Sequence, residues 1–218
     1  MSDPPSSPLR GEPRNAVCPG TSIGAGFVKG MIVNGPRLWL REAIAGDAIF
    51  ILGLRLEPSK NQFLSAVESD IDAQAQWIRS ASNDPAQLYF IIEVDKQPVG
   101  TVRLYDQRCE SFCWGSWILD QRSPKSSAVE STLMVYSLGL SLGFNAAHFD
   151  VRKGNTKVWR YHERLGAKRV SEDEANFYYV MHEDEIRSVL THYKNRGSIE
   201  VVFPAGETRL GDLTRRKD

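Results

Sequence analysis

The sequence predicts an α/β protein of the α+β type: one mixed, mostly antiparallel sheet of about seven strands with helices on both faces. Three observations predict it. Strand-like runs follow one another from Leu88 to Leu119 with only turns between them, which is an antiparallel meander. The last of these runs is followed by a helical pattern and then another strand, a crossover that brings in a parallel neighbour. The full order, β-α-α-β-β-β-α-β-α-β-β, lacks the regular alternation of a doubly wound sheet.

The first 36 residues carry Pro4, Pro5, Pro8, Pro13, Pro19 and Pro36 and six of the 17 glycines without hydrophobic periodicity, so 1–36 reads as a flexible leader. Arg37 to Glu42 alternates as a first strand, Gly46-Asp47 caps a helix through about Leu56, and Pro58 stops it. Phe63, Leu64, Val67, Ile71, Trp77 and Ile78 recur at near-helical spacing, giving one helix or two short ones over 61–80, before the turn cluster Asn83-Asp84-Pro85. Leu88–Val94 and Val99–Tyr105 flank the polar stretch Asp95-Lys96-Gln97-Pro98 and make a hairpin; Phe112–Leu119 adds the fourth strand. Val129, Leu133, Tyr136 and Leu140 stripe a helix over 128–142. His148–Arg152 is a short strand, 156–165 a helix, and two closing strands fall near 168–170 and 177–181. The remainder, 183–218, is an added helix over 183–193, a possible strand over 199–203 and a polar tail over 208–218.

Composition narrows the function. The 218 residues hold 27 basic and 27 acidic side chains, so there is no bulk positive charge for nucleic acid or an anionic membrane surface. No run of about eighteen apolar residues exists, and the N-terminal stretch lacks the basic start and apolar core of a secretory signal, so the expected compartment is the cytoplasm. Cys109 and Cys113 lack further Cys or His partners at zinc-site spacing, and no metal is expected.

Two segments point to chemistry. Asn155 to Gly166 is a capped amphipathic helix with Val158, His162 and Leu165 on one face. Trp117 to Glu130 joins a strand to a helix. Ser127 and Glu130 have the spacing of a capping box, fixing the helix start near Ala128, and Arg122 and Lys125 lie just upstream. A helix N-terminus with basic residues beside it suits phosphate oxygens.

In this order, after a meander, the two segments resemble the GNAT acyl-CoA N-acyltransferase superfamily from Arg37 to about Met181. The resemblance implies a fourth strand that splays from the fifth, with pantetheine paired along Ile118 and Leu119. It implies a pyrophosphate loop of the pattern Gln/Arg-x-x-Gly-x-Gly/Ala, here Arg122, Lys125, Ser126, Ser127 and Ala128. Lys125, Ser126 and Ser127 stand where that motif carries glycines, and only Ala128 satisfies its final position. Asn155, which opens the later motif, joins the cofactor-binding group by the same resemblance. The Leu119 amide would polarise the thioester carbonyl. His162 occupies the position of the family's Tyr that protonates the departing thiolate, with Tyr161 adjacent; a histidine with an ordinary pKa is partly protonated at pH 7.

Cys113-Trp114-Gly115 fills the place where Glu-Ile-Gly is common, so the usual base is absent, leaving Glu110 and Glu93 as candidates, or no base where the amine arrives neutral. Arg55, with Lys60, Asn61 and Gln62, would line the acceptor wall, and Glu110 would also face the substrate. The implied activity is direct attack of a primary amine on acetyl-CoA, without metal, by a monomer or homodimer. The endings Tyr-His-Glu-Arg-Leu-Gly and Phe-Asp-Val-Arg-Lys-Gly-Asn are most similar to GNAT enzymes that acetylate nucleotide-linked amino sugars in pseudaminic-acid-type glycan pathways. Enzymes that acetylate protein N-termini, ribosomal proteins included, show similar endings, and a GNAT-fold binding or regulatory protein is a third alternative.

Overall fold

A computed structural model describes residues 26–205. Residues 1–25 of the expected leader over 1–36, and the tail over 208–218, lie outside the described residues. The chain forms β1 (Ile32–Asn34), β2 (Trp39–Glu42), α1 (Ala48–Leu56), α2 (Pro58–Asn61), α3 (Ile71–Asn83), β3 (Leu88–Val94), β4 (Gln97–Arg108) and β5 (Ser111–Leu119). It continues through α4 (Ser127–Ser141), β6 (Ala146–Arg152), α5 (Thr156–Arg164), β7 (Lys168–Glu172), β8 (Asn176–His182), α6 (Glu183–His192) and β9 (Glu200–Val202). One mixed sheet orders these strands β7-β8-β6-β5-β4-β3-β2-β1-β9. Every neighbouring pair is antiparallel except β5–β6.

The sheet has nine strands among the described residues rather than about seven, and its start departs from the expected leader boundary at residue 36. β1 and β9 pair with each other at one edge, Val33 opposite Val201, and Met31 and Val33 are fully buried. Three residues between a glycine and a proline are too few to show a repeat of two, but pairing on both sides holds them in the sheet.

Local chemistry accounts for the other differences. The β3–β4 turn is only Asp95-Lys96, both at positive φ (49° and 62°), the two-residue loop whose twist matches its strands. Phe63, Leu64 and Val67 do not join a helix, because α3 begins where Asp70 Oδ1 accepts from the amides of Asp72 and Ala73 at 2.9 and 3.0 Å. Pro58 sits in the first turn of the short α2, after Glu57 turns extended and ends α1.

β3 is buried on both faces. Leu88, Phe90 and Ile92 enter the main core with α4, whereas Tyr89 and Ile91 meet Ile51 of α1 and Ile78 of α3. β5 pairs with β6 only over Ser111–Cys113 against Ala146–His148; beyond Cys113 the two parallel strands separate. On its other side β5 carries an extra residue. Arg103 lies opposite Gly115 and Thr101 opposite Ile118, so two steps on β4 match three on β5. Ser116, at φ 46°, sits in this bulge, and its carbonyl accepts from Thr101 Oγ1 at 2.8 Å.

Candidate active site

The bulge decides which backbone groups face the gap between β5 and β6. Asp120 N donates to Val99 O at 2.7 Å, so Asp120 and, two residues back, Ile118 direct their amides to β4. Leu119, between them, directs its N–H and C=O into the gap. The expected pair is thus split: Leu119 can meet a ligand through its backbone, while the backbone of Ile118 is taken by Thr101. Gly100 permits this pairing, because a Cβ there would stand 2.6 Å from Ile118 O.

Beyond β5 the chain turns on Asp120. Its carboxylate accepts from the Arg122 amide at 2.7 Å and from the Arg122 guanidinium at 2.8 and 3.0 Å. Arg122 holds the Asp120 carboxyl down at about 2. Arg122 is therefore an exposed, bidentate ion-pair partner rather than a free phosphate ligand. Lys125 is exposed.

The capping box does not form. Ser126 is the residue before α4, Ser127 lies inside its first turn, and neither hydroxyl oxygen, both buried, has a hydrogen-bond partner among the described residues. Glu130 turns away from the helix start, its Oε1 accepting from the amides of Arg37 and Leu38 at 2.7 and 2.8 Å. The carboxylate thus serves two amides of the chain entering β2, the Leu38 bond being buried, and satisfying both outweighs one cap. The first-turn amides of α4 are consequently left without a competing carboxylate, and two serine hydroxyls stand beside them. That arrangement fits a diphosphate despite the missing glycines.

Two clefts open on either side of Trp117 and Val158. The smaller, about 490 Å³, runs between the start of α4 and α5 and is lined by Ala128, Tyr161 and the cations Lys157, Arg160 and Arg164. The larger, about 820 Å³, extends from the sheet to α1 and the segment after α2, reaching Arg55, Phe63, Arg103, Asp106, Trp114, Asp150, Asn155 and His162. The Trp117 indole is fixed between them by its Nε1 donating to Ser131 Oγ at 3.1 Å.

His162 is buried in a box of rings, 4.4 Å from Phe149, 5.3 Å from Trp114 and Tyr161 and 5.9 Å from Trp117 by centroid, and its Nδ1 has no hydrogen-bond partner among the described residues. Burial pushes its pKa down to about 3, so it is neutral at pH 7. This corrects the expectation of a partly protonated acid: the sequence gives the position, but not the apolar box. Tyr161 points its hydroxyl to the first turn of α4, 3.1 Å from Ala128 O and 2.9 Å from Thr132 Oγ1. Burial lifts the phenol to about 12 and keeps it protonated.

Of the other expected residues, Arg55 lines the larger cleft, buried, with Nη2 donating to Ser65 O at 3.2 Å. Asn155 precedes α5 without capping it and opens to the larger cleft, away from the α4 start. Glu110 is misplaced by the sequence reading. It lies in the β4–β5 turn at the opposite end of β5 from the gap, its carboxylate held by Asn145 Nδ2. Glu93 is bonded to Arg41 Nε at 2.8 Å. The carboxylates that do reach the cleft are Asp84, Asp106 and Asp150, two of which sit within strands where a lone acid reads as a solvent-facing residue. Asp106, in a second bulge at φ 46°, is held down at about 2 by His148, 3.5 Å away, and by Arg108 at 2.6 Å.

A sheet opened between two parallel strands, with one strand's amide facing the opening and an uncapped helix start beyond it, is the architecture of an acyl-CoA-dependent N-acetyltransferase. The acetyltransferase (GNAT) domain model matches residues 37–168, and the chain belongs to that family. A solved structure described as apo FdhC, a nucleotide-linked sugar GNAT, is 40% identical over 79% of this chain and 99% of its own, with a TM-score of 0.69. A spermidine N-acetyltransferase from Vibrio cholerae, in complex with CoA and spermine, is 17% identical over 69% of this chain and 98% of its own, with a TM-score of 0.63. A GCN5-related N-acetyltransferase from Brucella melitensis is 14% identical over 75% and 84%, with a TM-score of 0.65. The last two share the fold alone. No curated protein matches the chain. Among the described residues no helix is long and apolar enough to cross a membrane.

Proposed function

We propose that the protein acetylates the amino group of a nucleotide-linked amino sugar, with acetyl-CoA as the donor. The observation that carries the acceptor is the 40% identity, spanning nearly all of its chain, to the structure described as a nucleotide-linked sugar GNAT. The larger cleft supports it. Its lining mixes the guanidiniums of Arg55, Arg103 and Arg152 with the carboxylates of Asp84, Asp106 and Asp150. A diphosphate with one ammonium group matches that mixture, whereas a polyamine carrying several positive charges would meet three arginines.

Acetyl-CoA would supply an activated acyl group as its thioester. The first-turn amides of α4 with Ser126 and Ser127 receive the diphosphate, and Lys157, Arg160 and Arg164 add positive charge along the same cleft. The Leu119 N–H stabilises the oxyanion that develops on the thioester carbonyl. Tyr161, a protonated phenol on the α4 side of Trp117, gives its proton to the leaving sulfur, and neutral His162 holds the aromatic wall against which both substrates lie.

The test is release of free CoA from acetyl-CoA in the presence of an amino-sugar nucleotide, spermidine or a peptide with a free N-terminus, with mass spectrometry of the acceptor. Acetylation of the sugar nucleotide is expected. Acetylation of the peptide or the polyamine alone would refute the acceptor.

A further inference from the structure

We propose that Asp150, on the strand that turns away from β5, is the base that takes the acceptor's amine proton. The assignment rests on the acceptor reading above. The side chains at the family's usual position cannot serve: Trp114 has no basic atom, and Cys113 is fully enclosed, its thiol pushed up to about 12 by burial.

Three carboxylates line the cleft, and two of them are occupied. Asp84 accepts from Ala86 N at 2.9 Å and Gln87 Nε2 at 2.6 Å. Asp106 is bound by Arg108 and His148. Among the described residues no side chain donates to the carboxylate of Asp150; its own backbone amide is the one donor to it, and it lines the cleft with its remaining lone pairs unclaimed by any side chain.

Its place in the sheet is equally specific. His148 is the last β6 residue paired with β5, opposite Cys113, and Asp150 follows two residues later on the same face. Continued across the gap, that register sets Asp150 level with Gly115, just before the bulge and the outward-facing amide of Leu119. The charged and titratable groups facing it are His148 and Arg152 on β6, Cys113 on β5, Tyr178 opposite on β8, and Asp173 in the β7–β8 turn. Asp106 approaches from β4, and Arg55 and Arg103 complete the cleft wall. Burial is the largest influence on Asp150 and raises its pKa, which makes it a stronger base than an ordinary aspartate.

In the reaction the ammonium gives one proton to the Asp150 carboxylate, and the freed nitrogen lone pair forms the C–N bond. The C–S bond breaks, the nitrogen's second proton is lost, and the sulfur leaves as a thiol after taking the Tyr161 proton, which that second proton restores. Asp150 returns its proton to solvent.

The experiment compares wild type, Asp150→Asn and Asp150→Glu in acetyl transfer from pH 5.5 to 9.5, with acetyl-CoA binding measured by calorimetry. Asp150→Asn is expected to lower kcat/KM at pH 7 by about 10²- to 10⁴-fold. The loss should shrink as the pH nears the amine's own pKa, while acetyl-CoA affinity stays within about threefold. Asp150→Glu should keep an acid limb, displaced in pH, and recover part of the rate; a limb identical to wild type overturns the proposal. A loss equal at every pH, or a rate within about threefold of wild type at pH 7, also overturns it. If wild type acetylates only spermidine or the peptide, the acceptor reading falls and the same pH series on that amine decides Asp150. Transfer to no amine overturns both.

Discussion

Replacing His162 with Phe separates a proton donor from a buried wall by its effect on stability as much as on rate. In the folded protein burial lowers the imidazole pKa from 6.5 to about 3. Above pH 6.5 both folded and unfolded chains carry the ring neutral, and it contributes no pH dependence. As the pH falls through 6.5 the unfolded chain binds the proton first, so stability is lost progressively down to about pH 3. At pH 5 the difference amounts to about 2 kcal/mol. With a urea m-value of about 2 kcal/mol/M, the wild-type midpoint should fall by about 1 M more than that of the variant between pH 8 and pH 5. Ordinary carboxylates titrate below this window, and the comparison of the two proteins cancels what they contribute. Phe is close in size to the imidazole and suits the four rings around it, so the variant should fold. Its kcat/KM at pH 7 should remain within about fivefold of wild type. Equal acid sensitivity of the two proteins would refute the burial argument, and a rate loss of a hundredfold or more would return the acid to His162.

Tyr161→Phe should bind acetyl-CoA normally yet slow transfer by about 10²-fold or more, read by single-turnover kinetics; an unchanged rate would leave the leaving sulfur to take its proton from water. Glu130→Ala leaves the Arg37 and Leu38 amides without their acceptor and should cost about 2–4 kcal/mol by urea denaturation, with Glu130→Gln recovering much of it because one acceptor oxygen remains. Gly100→Ala drives a Cβ against Ile118 O and should lower stability by about 1–3 kcal/mol and weaken acetyl-CoA binding in calorimetry, since the displaced backbone includes Leu119.

Much of the architecture was legible in the sequence because its signals are local. The apolar runs of β3 and β4, the stripe of α4 and the amphipathic α5 each depend on residues near in the chain, and together they imply the crossover and the gap. What was hidden depends on partners far away. Glu130 sits three residues after a serine, a spacing that local rules read as a cap, but its partners are more than ninety residues upstream. His162 was found by motif, whereas its protonation state follows from Trp114, Phe149 and Trp117, which arrive from other strands. Asp150 lies in a strand among apolar neighbours with nothing nearby to mark it. Its significance comes from β5 having left, which no periodicity reports.

The extra residue at Ser116 changes the parity of β5. In an unbroken strand residues three apart face opposite ways, but Trp114 and Trp117 lie on one side with their centroids 5.5 Å apart, and both touch His162. Removing one residue between them would set two residues of β5 against two of β4, so that Trp114 and Trp117 would share a face as ordinary i, i+2 neighbours, and Ile118 and Leu119 would stay opposite Thr101 and Gly100. Leu119 would still direct its amide into the gap. A single codon deletion at Ser116 would thus cost the bend of the strand beside the gap and the Ser116 carbonyl that holds Thr101, while the oxyanion donor and the indole wall keep their sides.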